Sequence, residues 1–192
     1  AEKAIAEHTR WSEELLSGLK EFGLENKLKR YEHHLSHASN AYLASGFDRA
    51  LIFTLDGYGP GLAGSIGIGE GGKVTRQHGP RFPYSLGTCY ENVTSALGYH
   101  PDRHAGKIVG LAAYGDPAIL DEVVSHRFHT EGGGFRIDQN LNPFFARHLA
   151  VNFPMVDVAS AWQFVLEKVA VRLVEHCAGV LGCSNVLLSG GV

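Results

Sequence analysis

Four stretches of the sequence carry residue types and spacings that could do chemistry. The first is His33-His34-Leu35-Ser36-His37. Residues four apart on a helix share a face, so His33 and His37 can present two imidazoles to one metal ion. Imidazole suits iron, zinc, copper or nickel. With eleven histidines in 192 residues such a pair also arises by chance, and surface or capping histidines are the competing reading. The second is Asp56-Gly57-Tyr58-Gly59, directly after an apolar run. An aspartate there can ligate a metal or face phosphates while the glycines let backbone come close, although Asp-Gly also marks a plain turn. Two imidazoles and one carboxylate together make an open site that leaves positions for substrate or water.

The third stretch, Arg103-His104-Ala105-Gly106-Lys107, is a basic cluster with a glycine. It is placed at the expected start of a helix, where free N–H groups and the helix dipole favour an anion. No GxxxxGK[ST] loop is present, and a solvated basic turn explains the cluster equally well. The fourth is Leu188-Ser189-Gly190-Gly191-Val192, where a strand runs into a double glycine, a weak signal alone. Ser85 and Ser189 lack a GxSxG elbow and Cys89 has no evident partner base, which argues against a nucleophilic hydrolase. Met155, Trp11 and Trp162 read as packing residues.

These stretches need elements to position them. Residues 1–28 read as a helix with Trp11, Leu15, Leu16 and Leu19 on one stripe, and a second helix covers about 32–45. RALIFTLDG reads as a buried strand ended by Asp56-Gly57. Ser65–Gly69 and Lys73–Gln77 form a hairpin at Glu70-Gly71-Gly72. Helices follow at Leu86–Leu97, Lys107–Tyr114 with Gly115 as its stop, and Pro117–Val124. EGGGFRIDQNLNPF is a loop or a small strand excursion. The longest helix runs from Asp157, as N-cap, to Leu181, with Gly182 as stop. NVLLSGGV is a last strand whose glycine turn would ordinarily feed a nucleotide- or anion-binding helix. No repeat of 20–50 residues is seen. The chain reads as a truncated α/β protein.

Composition narrows the function. Apolar residues at 44% support a packed core, and a net charge of −3 provides no basic field for nonspecific nucleic-acid binding. Three cysteines without CxxC spacing argue against a disulfide framework or a zinc-thiolate site. With no leader and no run approaching about 20 apolar residues, a cytoplasmic, membrane-free protein is expected.

Taken in order, HHLSHASNAYLASGF, ALIFTLDGYG, GKIVGLAAYG and LLSGGV resemble the carbamoyltransferase family of the NodU and CmcH type. The resemblance runs from about Tyr31 to Val192 and says nothing about the acceptor. It implies a partial actin-like ATPase (ribonuclease H-like) fold, truncated at both ends. Residues 1–46 would be the helical end of the first lobe and 47–192 most of the second. It implies transfer of a carbamoyl group, from carbamoyl phosphate and ATP through carbamoyladenylate, to a hydroxyl of a small-molecule or sugar acceptor beside a divalent metal, often Fe2+. By the same resemblance His33, His37 and Asp56 match metal ligands, with a further aspartate ligand beyond Val192. Gly57, Gly59, Gly190 and Gly191 match loops near the nucleotide, and Lys107 matches the family's Gly-Lys pair. His34 is a candidate base or a donor to a ligand, ranked below a structural role. The family often has an acidic residue after the second glycine of DGxG, where this chain has Pro60. The fragment alone is expected to be inactive, and its exposed lobe interface favours self-association. The competing readings are a metal-free actin-like ATPase or kinase lobe, a noncatalytic binding fragment, and a metal-dependent phosphoester hydrolase.

Overall fold

A computed structural model describes residues 2–59, 61–81, 83–131, 133–138 and 141–192. Pro60 lies outside the described residues, as do Ala1 of the first expected helix and Gly132, Gln139 and Asn140 of the glycine-rich segment. The chain forms two compact units, residues 1–31 and 32–192.

In the first unit, α1 (Glu2–Glu21) is followed by a 3-10 turn, Glu25–Lys27. Arg30 donates to Ser12 Oγ at 2.9 Å. The stripe expected to pack Trp11 leaves it 58% exposed, because an amphipathic helix buries its apolar side only against a partner surface, and within its own unit α1 meets only a short turn. No helix among the described residues is long and apolar enough to cross a membrane.

The second unit is built on a four-stranded sheet in the order β3-β2-β1-β6. β1 (Arg49–Leu55) pairs antiparallel with β2 (Gly64–Glu70), which pairs antiparallel with β3 (Lys73–His78) through the expected hairpin. Gly71 and Gly72 at its tip have φ of +56° and +75°, the twist that a tight two-residue turn needs and glycine supplies cheaply. β6 (Val186–Gly190) returns much later in the chain to lie parallel to β1, with Phe53 opposite Leu188 and Leu55 opposite Gly190.

β1 is buried on both faces, as its unbroken apolar run demands. Ala50 and Ile52 face α2 (His33–Ser45), meeting Ala38 and Tyr42; Leu51 and Phe53 face the larger helical core. The division into units puts α2 with the sheet. Gly69 is where the Tyr42 ring lies on the sheet, since a Cβ there would stand 2.3 Å from the ring.

On the other face, α3 (Leu86–Ala96) and α4 (Pro101–Ala112) pack with α7 (Met155–Leu181), whose Val158, Ala161, Trp162, Val165, Val169 and Leu173 form the spine of the core. Trp162 is buried, as expected, whereas Met155 is 42% exposed at the helix start and is not a core residue. α7 begins two residues before the expected cap. Pro154 precedes the helix, and Asp157 sits inside its first turn, where it accepts the Asp116 N–H at 2.9 Å. Gly182, with φ +57°, ends the helix as expected.

The stretch after Pro117 is a 3-10 turn, Pro117–Ile119, then the short α5 (Asp121–Ser125), rather than one helix. β4 (Phe128–Glu131) and β5 (Gly134–Ile137) form the strand excursion as a separate hairpin. α6 (Pro143–Asn152) was not expected; Asn142 caps it by accepting the Phe144 and Phe145 N–H groups, with Pro143 at the first helical position, a legible start signal.

Candidate metal and ligand site

The start of α2 and the end of β1 meet at the C-terminal edge of the parallel pair. Glu32 caps α2 by accepting the Leu35 N–H, so the helix opens directly on His33. One turn later comes His37. Both point at Asp56, which leaves β1 in the adjoining layer. His33 Nε2 is 2.7 Å and His37 Nε2 3.4 Å from Asp56 Oδ2, and the two imidazoles stand edge to face with centroids 4.7 Å apart. The other carboxylate oxygen accepts the Gly57 N–H at 2.9 Å. Burial alone would raise the Asp56 carboxyl; hydrogen bonds from His33 and the Gly57 N–H, with the charges of His33 and His37, bring it below its ordinary value.

Two imidazoles and a carboxylate suit a borderline divalent ion. His37 and Asp56 stand about as far apart as two ligands of one ion at about 2.0–2.2 Å from each, whereas His33 and Asp56 are at hydrogen-bond distance and would part slightly to share an ion. Among the described residues, the three whose ligand atoms all lie within 4.8 Å of one another are His33, His34 and Asp56, but His34 is differently engaged. It is fully buried, with Nε2 3.3 Å from the Leu62 carbonyl and Nδ1 3.3 Å from Thr54 Oγ1. A neutral ring that donates at Nε2 and accepts at Nδ1 satisfies both contacts. Burial lowers its pKa, consistent with that form. Thr54 Oγ1 in turn accepts the Ser65 N–H at 2.8 Å and pairs with Ser65 Oγ at 2.9 Å.

The glycines singled out by the sequence gather around Asp56. A Cβ on Gly59 would stand 2.5 Å from His34 Nε2 and 3.1 Å from His33 Cδ2; one on Gly57 would meet Glu91 Oε1 at 2.9 Å. From the neighbouring strand, Gly190 packs on the Leu55 backbone and Gly191 lies 3.1 Å, by the same measure, from Asp56 Oδ1. The Val192 N–H reaches the Leu55 carbonyl at 3.2 Å. β1 and β6 thus end together in backbone without side chains.

Beside this junction is a cavity of about 470 Å3, lined by Asp56, Gly57, Gly87, Tyr90, Glu91, Asp102 and Gly106 with Val109, Leu166 and Gly191 among others. Its glycine walls admit a ligand close to backbone, and its carboxylates can accept from ligand hydroxyls or ammonium groups. Burial, then the negative charges of Asp102 and Asp56, raise the Glu91 carboxyl above its ordinary value.

Two residues of this site were missed by sequence reasoning. Ser85 is buried and caps α3, accepting the Thr88 N–H while standing within hydrogen-bond reach of the Asp56 and Gly57 carbonyls. It ties the helix to the loop that carries Asp56, and a serine before an apolar run is the signal that would have found it. Glu91 had no such signal, because only folding brings α3 over Gly57.

The helix expected to open at Lys107 opens earlier. α4 starts at Pro101, pre-set for a first helical position, so Lys107 lies inside the helix and its N–H group is not one of those of the terminus. Gly106, not Lys107, lines the cavity, and the Lys107 ammonium lies 5.6 Å from the centre of the Tyr99 ring. Cys89 is a buried core thiol.

The model of the family described as carbamoyltransferase N-terminus matches residues 2–192. The chain is similar to the nodulation protein NolNO of Sinorhizobium fredii, 33% identical over 93% of this chain and 28% of the relative. It is also similar to the nodulation protein NolO of Bradyrhizobium diazoefficiens, 30% identical over 83% and 31%, and to an uncharacterised Synechocystis protein, 31% identical over 84% and 29%. The chain spans under a third of the length of these curated relatives. On the match of the family model along 2–192, the chain belongs to the carbamoyltransferase N-terminus family.

Proposed function

We propose that this chain is part of an ATP-dependent O-carbamoyltransferase that moves a carbamoyl group from carbamoyl phosphate, through carbamoyladenylate, to a hydroxyl of a small-molecule or sugar acceptor. The observation that carries the reading is the convergence of His33, His37 and Asp56 beside a glycine-walled cavity, in a chain of this family. The three-stranded antiparallel run β1–β3 followed by the parallel β6 supports the actin-like, ribonuclease H-like fold.

His33, His37 and Asp56 would hold a divalent ion, Fe2+ in the favoured reading. When bound, such an ion supplies Lewis-acid polarisation of a carbonyl or hydroxyl oxygen. His34 does not need to titrate in this scheme: packed neutral beneath Gly59, it keeps the first turn of α2 in register with Asp56. Gly57, Gly59, Gly190 and Gly191 let the ends of β1 and β6 approach a nucleotide without side chains in the way. Glu91 accepts from a ligand hydroxyl. Lys107 can meet phosphate only through its side chain, since its N–H lies within the helix. The acceptor is orientated by the cavity walls, which gathers the reacting groups and raises their effective concentration. A cytoplasmic setting, with no membrane or nucleic-acid partner, is part of the same reading, as is self-association.

The test uses the full-length protein. Ferrous or cobaltous ion should bind near one per chain, and His33→Ala/His37→Ala should abolish that binding together with carbamoyl transfer from carbamoyl phosphate and ATP to a panel of hydroxyl acceptors. Full metal binding by the double variant would refute the site. ATP turnover independent of metal and of carbamoyl phosphate would favour a metal-free ATPase lobe.

A further inference from the structure

A second cavity, of about 340 Å3, shares no lining residue with the one at Asp56. Three elements wall it. α5 and its following turn contribute Asp121, Ser125 and His126; β4 contributes Phe128, His129 and Thr130; α7 contributes Val165, Lys168, Val169 and Arg172. Val165 and Val169 are core residues and make an apolar floor, so the polar groups stand around the rim.

The charges are unequal. Lys168 and Arg172 are one helical turn apart, on the same side of α7, and His126 and His129 face them. Against the two fixed cations, Lys168 and Arg172, stands Asp121, the single carboxylate of the lining; the imidazoles add ring nitrogens to the rim. Asp121 is already engaged, by Lys168 Nζ at 3.5 Å and by a short hydrogen bond from Ser125 Oγ. Asp138, outside the lining, pairs with His129 Nε2 at 2.9 Å. Among the described residues no hydrogen bond or ion pair takes up the Arg172 guanidinium or the His126 ring. The hydroxyl of Thr130 completes the donor set. A planar fork of five N–H donors with no protein acceptor, beside an ammonium whose counter-ion is shared, is a natural receiver for a compact, multiply charged oxyanion.

We infer that the cavity between α5, β4 and α7 binds the phosphate group of a small anion, held chiefly by Arg172 with Lys168 and the two histidines. Free inorganic phosphate and a small phosphomonoester share that chemistry; the apolar floor and the volume leave room for the organic part of an ester. The inference does not rest on the carbamoyl-transfer reading, since none of its residues belongs to the Asp56 site. α7 nevertheless touches both places: Leu166 lines the Asp56 cavity while Val165 and Lys168 line this one.

The test is titration of the full-length protein with inorganic phosphate, and separately with glycerol 3-phosphate, at constant ionic strength set with chloride. The ring proton resonances of His126 and His129 are followed by NMR and assigned with His126→Gln and His129→Gln. Saturable shifts of both rings are expected, with the midpoint raised about tenfold or more in Arg172→Gln, the size expected for loss of a charge-assisted pair. Lys73→Gln, which changes a cation at the tip of the β2–β3 hairpin, outside the cavity, should leave the midpoint unchanged. A response to inorganic phosphate would identify the free ion as a sufficient ligand, and a response to the ester alone would identify an esterified one. No saturable shift with either probe, or an equal midpoint in wild type and Arg172→Gln, would overturn the inference. Reading the shifts at His126 and His129 separates this site from any phosphate bound near Asp56, and Asp56→Asn should leave them in place whether or not the carbamoyl-transfer reading holds.

Discussion

The substitution Gly59→Ala tests whether the loop after β1 is held down on the histidines. An alanine Cβ would stand 2.5 Å from His34 Nε2 and 3.1 Å from both His34 Cδ2 and His33 Cδ2. Ordinary contact needs about 3.5 Å, so something must move by about 1 Å. His34 is poorly placed to yield. Its ring is fully buried and held at both nitrogens, by Thr54 and by the Leu62 carbonyl. If the loop lifts instead, it gives up the Gly59 N–H bond to the Leu62 carbonyl, 2.8 Å long. Overpacking costs about 1–3 kcal/mol and the lost hydrogen bond about 1 kcal/mol, so a destabilisation of about 2–4 kcal/mol is expected. Urea unfolding followed by circular dichroism reads it directly. Gly110→Ala is the control: that glycine lies exposed inside α4 with no atom within 4 Å of a Cβ, and the change should stabilise by about 0.5–1 kcal/mol. The same lift should displace Asp56 from His33 and weaken ferrous or cobaltous binding by about 10- to 100-fold, the range for disturbed support of a ligand. A Gly59→Ala protein within about 0.5 kcal/mol of wild type, with unchanged metal binding, would refute the close packing of this loop.

Three further outcomes follow from the same geometry. Thr54→Val keeps the shape but removes the acceptor of the Ser65 N–H and the partner of His34 Nδ1; a loss of about 1–3 kcal/mol in denaturant unfolding is expected, and an unchanged midpoint would show that the buried network is dispensable. Glu91 has its carboxyl raised by burial and by Asp102 and Asp56, so the folded state holds its proton more tightly than the unfolded state. Its contribution is full below the unfolded value of about 4.3 and falls as pH rises through the folded value. Glu91→Gln should therefore gain on wild type in thermal unfolding as pH goes from about 4 to about 7. A constant difference across that range would contradict the assigned burial. Cys89 has its thiol pushed up to about 12 by burial, so maleimide at mildly alkaline pH should leave it unlabelled in the folded protein and label it in denaturant, as mass spectrometry of the peptide would show; labelling without denaturant would place it at the surface.

Much of the fold was legible locally. RALIFTL has the unbroken apolar character of a strand buried on both faces, and Gly71-Gly72 demanded a tight hairpin; both depend on neighbours in sequence. Local signals were misread where two of them competed. Gly106-Lys107 looked like a helix opening, but Pro101 had already started the helix five residues earlier, and an interior glycine costs only about 1 kcal/mol. Asp157 looked like a cap because aspartate favours that position, yet it lies within the first turn, its carboxylate accepting the Asp116 N–H. α6 went unseen although Asn142-Pro143 announces it, because the glycines upstream drew the whole segment into a loop.

The candidate site divides in the same way. His33 and His37 share a helix face by the geometry of the helix alone, and Asp56 stands at a strand end by the pattern of the run before it. What the sequence determined by itself is therefore each half of the site, because periodicity acts over one turn or one strand. That the halves meet was decided by tertiary structure: α2 packs across β1 and β2 through Ala38, Tyr42, Ala50 and Ile52, which brings Asp56 to 2.7 Å from His33. The same holds for Glu91 over Gly57 and for Gly191 beside Asp56. These contacts join residues tens or more than a hundred positions apart, and burial of apolar faces, which is indifferent to sequence distance, is the force that selects them.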